Sequence, residues 1–289
     1  MTAQSAVVTL SSPASVRMPG VASTAIRDVL TEPQTPATVL GTASHAVWLL
    51  VDGTVIVVST RDATRLPNGV EIAADSGADS FRTVHHGESA TVGLGQLLFD
   101  GLTIDAVRWW DPRPALGRTS TTELATAIMG LPTTVPDVES RPLSAALSEG
   151  SVPAILVAAE SLIGRGPGLT PEGDDYLAGA LAAIRTLGDA LSRPDTAVLL
   201  DSLADPLKRL ARSRTTTFSA ALISHAVDGQ VAAPAGSLLR ALTGRGDVAD
   251  GHRDLTRVGH TSGPALAAGM ILGARSLLQS QPHSNGGKQ

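Results

Sequence analysis

The chain has 289 residues, a formal net charge of −5, and a composition that is 43% hydrophobic, 17% charged and 2% aromatic. This apolar fraction is enough for a packed core, whereas the acidic balance and the few aromatic side chains disfavour nucleic-acid binding. Because the chain has no cysteine, thiolate catalysis, disulfides and cysteine-ligated metals are excluded. We see no signal-peptide pattern and no run of about 18 apolar residues, so we expect a cytoplasmic protein that does not span a membrane.

The first part of the chain, up to about residue 117, is predicted to be rich in β-structure, since short apolar segments alternate with turn residues. Val51-Asp52-Gly53-Thr54 predicts a hairpin turn. Asp111-Pro112-Arg113-Pro114 ends the pattern, because two close prolines fit neither a central strand nor a helix interior. The predicted strand segments are 38–40, 46–50, 55–58, 91–98 and 104–109.

From Thr119 onward the Ala, Leu and Ile residues recur at helical spacing. The predicted helices are 121–129, 143–147, 153–163, 177–191, 197–212 with a kink or break at Pro206, 218–227, 237–242 and 264–278. We therefore expect an α+β fold, in which a β-rich domain packs on a mainly α-helical domain. The predicted domains are residues 1–117 and 118–279, followed by a disordered tail at 280–289.

One glycine-rich segment, GRGPGLTPEGDD, carries the strongest chemical signal in the sequence. Gly166 and Gly168 allow positive φ angles and let a ligand approach the backbone closely. Thr170 is the predicted N-cap of the helix that follows, with Pro171 as its first residue. The free N–H groups and the positive dipole end of such a helix suit phosphate or carboxylate.

The next residues, Asp174 and Asp175, point about 100° apart on a helix, so both cannot face one point equally well. One of them could hold Mg²⁺ or a ligand N–H group, while the other bonds to a neighbouring loop. A purely structural role also stays open, because acidic residues favour the first helical turn. The spacing matches neither the Walker A motif nor the dinucleotide fingerprint.

Two later helix starts have the same polar, hydroxyl-bearing character. In the first, Arg214 could grip a carboxylate or phosphate with two parallel hydrogen bonds. In the second, His260 could carry a proton or bind an anion. Each would alone be explained by an ordinary helix cap, but together they predict one pocket if the helix starts converge. The candidate catalytic residues are Asp174, Asp175 and His260, and the candidate substrate-binding residues are Gly166, Gly168, Thr170, Arg214, Thr216, Thr217, Ser219, Thr261, Ser262 and Gly263.

These motifs resemble the AllH-type family, whose core pattern is G-x-G-P-G-L-T-P-x-G-D-D-x-L-x-G. The core is matched from Gly164 to Gly179, and the final G-H-T-S-G from Gly259 to Gly263. The middle T-T-x-x-S pattern is matched loosely by Thr215 to Ser219. His45 before a short apolar strand and the sequence Trp110-Asp111-Pro112 also fit the family, whereas Arg165 departs from its pattern.

Some members of that family are assigned as a subunit of oxamate carbamoyltransferase. The resemblance implies a role in anaerobic allantoin breakdown, in which oxalurate and phosphate give oxamate and carbamoyl phosphate. It implies a small anionic substrate, with other transferase subunits and a carbamate kinase as partners. Carbamoyl transfer needs stabilisation of a tetrahedral oxyanion, for which the candidates are the N–H groups after Gly166 and Gly168, with Thr170, Arg214 and His260.

Two other functions stay open at this stage. The first is a Mg²⁺-dependent hydrolase that holds its metal with Asp174 and Asp175. The second is a non-catalytic scaffold or ligand-sensing subunit. No nucleic-acid or membrane partner is expected, and the sequence leaves a homo-oligomer open.

Overall fold

The computed structural model describes residues 15–132 and 141–280. Eight strands in its N-terminal region form a closed barrel with the order β1-β5-β4-β3-β2-β6-β7-β8. The strands are β1 Val16–Ser23, β2 Thr35–Ala43, β3 Ala46–Val51, β4 Thr54–Ser59, β5 Gly69–Ile72, β6 Ser89–Gly93, β7 Gln96–Phe99 and β8 Leu102–Trp110. The pairs β1–β8 and β4–β5 are parallel, and the other neighbours are antiparallel.

The barrel interior is filled by aliphatic side chains such as Val39, Leu49 and Ile104, all fully buried. The predicted hairpin turn joins β3 to β4, and it is confirmed. Asp52 and Gly53 have φ angles of 44° and 75°, and positive values at both central positions characterise a type I′ turn. This tight hairpin keeps β3 and β4 side by side at the face of the barrel that meets the helices.

Nine of the ten helices in the described residues follow the barrel, and α1 lies between β1 and β2. The helices are α1 Arg27–Thr31, α2 Thr121–Met129, α3 Arg141–Glu149, α4 Val152–Leu162, α5 Glu172–Ala190, α6 Pro194–Arg214, α7 Thr217–Val227, α8 Ala233–Leu242, α9 Val248–Thr256 and α10 Ser262–Gln279. In this part of the chain, no helix has both the length and the apolar character that crossing a membrane requires. The mixed α+β class is confirmed, and the closed barrel adds a detail that the sequence did not indicate.

Several local predictions need correction. The single segment predicted over 91–98 is a hairpin of β6 and β7, because Leu94 and Gly95 adopt positive φ angles and turn the chain. Of the kink or break predicted at Pro206, the break is wrong, since α6 continues through this residue. The carbonyl group that loses its helical donor there belongs to Ser202, which is exposed, so water can solvate it. Strands β1 and β5 and helices α1 and α9 were not predicted.

Helices α5 and α10 form the centre of the helical region. Helix α5 is buried on nearly every face, and glycines let its backbone touch that of α10. A Cβ atom at Gly179 would overlap the carbonyl oxygen of Leu266, and one at Gly269 would overlap that of Tyr176. The N-termini of the two helices carry the first and third polar motifs, so this close packing fixes the distance between those motifs.

The barrel and the helices meet through a small apolar cluster. Ala46, Val55 and Val57 of the barrel pack against Phe218 of α7. The ring of Trp48 meets that of Phe218 edge to face, with 6.3 Å between the ring centroids. The two regions therefore share an interface, while the domain boundary at residues 117 and 118 stays a prediction. Residues 281–289 of the predicted tail lie outside the described residues.

Candidate functional site

Asp174 connects the glycine-rich loop to the junction between α6 and α7. Its side chain is buried, with a relative exposure of 1%. Its Oδ1 accepts a hydrogen bond of 2.7 Å from the backbone N–H of Gly164. Its Oδ2 accepts hydrogen bonds from the hydroxyls of Ser219, at 2.7 Å, and of Thr215. We call these four residues the Asp174 cluster, and both oxygens of its carboxyl group have donors.

The glycine-rich loop lies directly against the end of α6. Gly164, Gly166 and Gly168 all have positive φ angles, as the sequence predicted. A Cβ atom at Gly164 would overlap the carbonyl oxygen of Arg214, so this close approach requires glycine. Thr216 caps α7 by accepting a hydrogen bond from the N–H of Ser219, and its hydroxyl donates to the carbonyl oxygen of Leu169 at 2.7 Å. The hydroxyl of Thr216 therefore stabilises the loop.

The third motif joins the first through their hydroxyl groups. The Oγ1 of Thr170 lies 2.8 Å from the Oγ of Ser262 in a hydrogen bond. The predicted N-cap role of Thr170 is wrong, because α5 begins at Glu172 with Pro171 as the cap residue. The Thr170 side chain bonds across to α10 instead of to its own helix. The three polar helix starts thus converge, as the sequence analysis predicted for a single pocket.

A cavity of about 360 Å³ opens where the helix starts meet the barrel. We call it the Asp175 cavity, because the Asp175 carboxyl group is its acidic side chain. Most of its wall is apolar, and it includes Leu66, Leu222 and Leu266. Its volume is within the usual range for small-molecule sites. The polar and aromatic side chains that line it are those of His45, Trp48, Thr64, Thr170, Asp175, Phe218, Gln230 and Ser262.

Asp175 has surroundings opposite to those of its neighbour. Burial raises the pKa of its carboxyl group to about 7, and the nearby charges of Asp174 and Glu172 act in the same direction. The hydroxyls of Ser262 and Thr170 oppose this rise of the pKa by hydrogen bonding. The buried Oδ2 of Asp175 has no hydrogen-bond partner among the described residues. A carboxyl group with such a pKa can gain or lose a proton near neutral pH.

Trp48 brings a second unpaired polar atom to the same cavity. Its indole Nε1 is buried and lacks a hydrogen-bond acceptor within residues 15–132 and 141–280. Native proteins rarely leave such groups unpaired, because burying a polar group without a partner is costly. Trp48 of the barrel and Asp175 of α5 thus each line this cavity and each have one buried polar atom without a partner among the described residues.

Of the other predicted site residues, some line this cavity and others do not. Gly263 lines it beside Ser262, and adding a side chain there would overlap the carbonyl oxygen of Leu255. His260 is exposed and does not line it, and Thr261 makes no capping hydrogen bond with its side chain. Arg214 is 46% exposed and forms an ion pair with Glu160. Thr217 lines a different cavity, together with Lys208 and Arg212.

The sequence analysis did not select His45, Trp48 or Gln230 as site residues, although all three line the cavity. His45 and Trp48 lie at the start of β3, and their only signal was the resemblance of that segment to the family. Gln230 follows α7, and its Oε1 lies 2.6 Å from the Nδ1 of His225 in a hydrogen bond. Burial lowers the pKa of His225, which favours its neutral form.

The two adjacent aspartates do not share a ligand set. Both oxygens of Asp174 already accept hydrogen bonds from protein donors, whereas Asp175 lines the cavity. Protein donors therefore already use three of the roughly four acceptor positions of the Asp174 carboxyl group. In the described ranges, no group of three or more His, Asp and Glu side chains is arranged to hold a metal ion.

Residues 162–274 match the family model described as oxamate carbamoyltransferase subunit AllH. The match supports an AllH-type assignment. It includes all three polar motifs and excludes the barrel, and it covers less than half of the chain. No curated protein and no solved structure shows a significant match. The resemblance that the motifs indicated is therefore confirmed for the helical region that carries the Asp174 cluster.

Proposed function

We propose that the chain is a subunit of an oxamate carbamoyltransferase-type enzyme and that the Asp175 cavity is its substrate-binding site. The family match supports the association with this enzyme. One structural observation carries the assignment of the site. The three motifs of the family converge on a cavity in which the carboxyl group of Asp175 is buried, with one oxygen unpaired among the described residues.

Asp175 has the properties of a general acid for this reaction. When phosphate attacks the carbamoyl carbon of oxalurate, the bond from that carbon to the oxamate nitrogen breaks. The departing nitrogen then needs a proton, and the protonated carboxyl group can supply it. A pKa of about 7 leaves a large share of the carboxyl group protonated at neutral pH. Asp175 would recover its proton from solvent after the product leaves.

Hydrogen-bond donors around the cavity can stabilise the oxygen that becomes negative during the transfer. The hydroxyls of Thr170 and Ser262 and the indole N–H of Trp48 are the candidates. Asp174 has a positioning role, because it fixes the glycine-rich loop and the start of α7 around the same helix end. In this proposal Arg214 and His260, which do not line the cavity, are replaced as candidates by these donors.

The test is the release of carbamoyl phosphate from oxalurate and phosphate, measured with the purified chain alone and with its partner subunits. We expect Asp175→Asn to lower kcat about 100-fold or more, which is the usual contribution of general acid catalysis. Asp100→Asn is the matched control, because Asp100 is exposed and remote from the cavity, and we expect it to keep full activity. An unchanged kcat in Asp175→Asn would contradict the role of the carboxyl group.

The same assay separates the alternatives. Turnover that appears only after Mg²⁺ is added and does not require phosphate would favour the hydrolase. No turnover in any combination of subunits, with ligand binding retained, would favour a ligand-sensing subunit.

A further inference from the structure

His45 contributes an exposed imidazole ring to the wall of the Asp175 cavity. It lies in the two-residue turn between β2, which ends at Ala43, and β3, which begins at Ala46. The backbone N–H and the hydroxyl of Thr60 both donate hydrogen bonds to the carbonyl oxygen of His45, at 3.0 and 3.3 Å. The ring itself has no hydrogen bond or ion pair with another described residue. The backbone of His45 is therefore held in place, while its imidazole is free to contact a ligand.

The same side chain also lines a neighbouring cavity of about 450 Å³. Trp48, Thr64 and Leu66 belong to both linings, so the two cavities adjoin along this part of the barrel. His45 is exposed, whereas Asp175 has a relative exposure of 8%. Of the two titratable side chains in the Asp175 cavity, one is thus open to solvent and the other is buried.

The charge of the lining distinguishes His45 from the other residues there. Among the described residues that line the Asp175 cavity there is no Arg or Lys, and Asp175 is the one acid. His45 is hence the side chain of this lining that can become a cation. In the neighbouring cavity the charged group is Asp62, whose oxygens accept hydrogen bonds from the N–H and the hydroxyl of Ser76. A small carboxylate that enters the Asp175 cavity can therefore find its positive partner at His45.

The exposure of His45 also suits a charged ligand group. Removing a carboxylate from water is unfavourable unless an opposite charge or hydrogen-bond donors replace the water. This penalty is smallest where solvent still reaches the ion, which is the His45 side of the cavity. A carboxylate at His45 leaves the uncharged part of the molecule to the apolar wall and to Asp175. It also avoids repulsion, because the proposed function uses the protonated, uncharged form of Asp175.

We propose that His45 is a substrate-binding residue and that its imidazolium ring binds the carboxylate end of the substrate at the solvent side of the Asp175 cavity. This inference rests on the proposed function, since it orients the substrate of that reaction. The barrel then recognises the charge of the substrate, and α5 supplies the proton donor. The family match covers residues 162–274 and does not include this contribution of the barrel.

Calorimetric titration of the full chain with oxamate and with methyl oxamate tests this role. The two probes share one skeleton, but the ester has no charge. The titration is made at about pH 6, where a pKa of about 7 keeps the carboxyl group of Asp175 mostly protonated. We expect oxamate to bind about fivefold or more tightly than the ester, as an ionic hydrogen bond at a partly exposed site allows. His45→Gln should remove this preference, because Gln keeps a donor without a charge, and His45→Lys should retain it, because Lys keeps the cation.

A control and a kinetic measurement separate binding from a structural effect. His86→Gln is the matched control with an unchanged preference, because His86 is exposed and lines neither cavity. Thermal unfolding of each variant without ligand shows whether it is folded. In the transfer assay, His45→Gln should raise KM for oxalurate about fivefold or more and keep kcat within about twofold, as expected when a binding contact is lost. Asp175→Asn should instead lower kcat.

The outcomes distinguish the inference from the proposed function. A folded His45→Gln variant that still prefers oxamate would overturn the inference, and so would an original chain that binds oxamate no more tightly than the ester. If carbamoyl transfer is observed in either case, the proposed function stands without it. If the preference depends on His45 but no combination of subunits transfers a carbamoyl group, the proposed function fails and the role of His45 in anion binding stands.

Discussion

The Asp174 cluster and the Asp175 cavity lie on different sides of the start of α5, and their two buried carboxyl groups differ in hydrogen bonding. Asp174 is surrounded by three donors from two other segments of the chain. Asp175 is almost as deeply buried, yet its Oδ2 has no partner in the described part of the chain. A satisfied group of this kind stabilises a fold, whereas an unsatisfied one is retained at a cost to stability. The comparison supports the proposal that the first aspartate has an architectural role and the second a role in ligand binding.

The largest expected effect is on the Asp174 side. Asp174→Ala leaves the N–H of Gly164 and the hydroxyls of Thr215 and Ser219 without their acceptor. We expect the free energy of unfolding to fall by about 3 to 5 kcal/mol, which is typical when a buried charged partner is removed. Urea denaturation measures this loss, with Asp100→Asn as the control. A loss below about 1 kcal/mol would show that the cluster does not hold the loop.

The Asp175 side should show the opposite behaviour in its pH dependence. Its pKa is about 7 in the folded chain, against 3.8 for an ordinary aspartate side chain, so the folded state binds the proton more tightly. The stabilisation is fully present below pH 3.8 and is lost as the pH rises to about 7. The expected loss is on the order of 4 kcal/mol. In Asp175→Asn this part of the pH dependence should disappear, which urea denaturation between pH 4 and 8 can measure.

A flat difference between the original chain and Asp175→Asn across that pH range would contradict the assignment. It would mean that the carboxyl group has the same proton affinity in the folded and unfolded states. The carboxyl groups of Asp174 and Asp175 would then differ only in their hydrogen bonds.

The sequence predicted part of this site, and the missing part has a physical cause. Helical geometry predicted that the side chains of Asp174 and Asp175 would point in different directions. Local periodicity could not show which of them would face α7 and which would face the barrel. The shared polar character of the helix starts predicted a single pocket on the condition that they converge, and the sequence could not test that condition. Trp48 was missed because its position at the cavity depends on how the strands pair in the barrel. Pairing between segments that are distant in the sequence leaves no local signal.

A change in the packing between α5 and α10 should affect both the stability of the fold and the Asp175 cavity. Gly179→Ala would place a methyl group against the carbonyl oxygen of Leu266, so the two helices must separate. We expect a loss of about 1 to 3 kcal/mol in unfolding free energy, the usual cost of overpacking, and lower carbamoyl-transfer activity because Ser262 moves with α10. Gly130→Ala is the matched control, since no atom lies within 4 Å of its added Cβ. Equal stability of the two variants would show that the helix contact is loose.

The smallest expected effect concerns Arg214, which the sequence analysis selected as an anion-binding residue. Its side chain is 46% exposed and pairs with Glu160, which is 48% exposed, and neither residue lines the Asp175 cavity. Exposed ion pairs contribute about 1 kcal/mol or less, so Arg214→Ala should change the free energy of unfolding by no more than that. Glu160→Ala is the matched control for the lost pair. Both variants should keep the carbamoyl-transfer activity of the original chain, because neither residue lines the Asp175 cavity. If Arg214→Ala alone lowered this activity while Glu160→Ala did not, the guanidinium group would be acting on the substrate. Ligand binding would then involve a residue on the side of α5 to which the comparison gives only an architectural role.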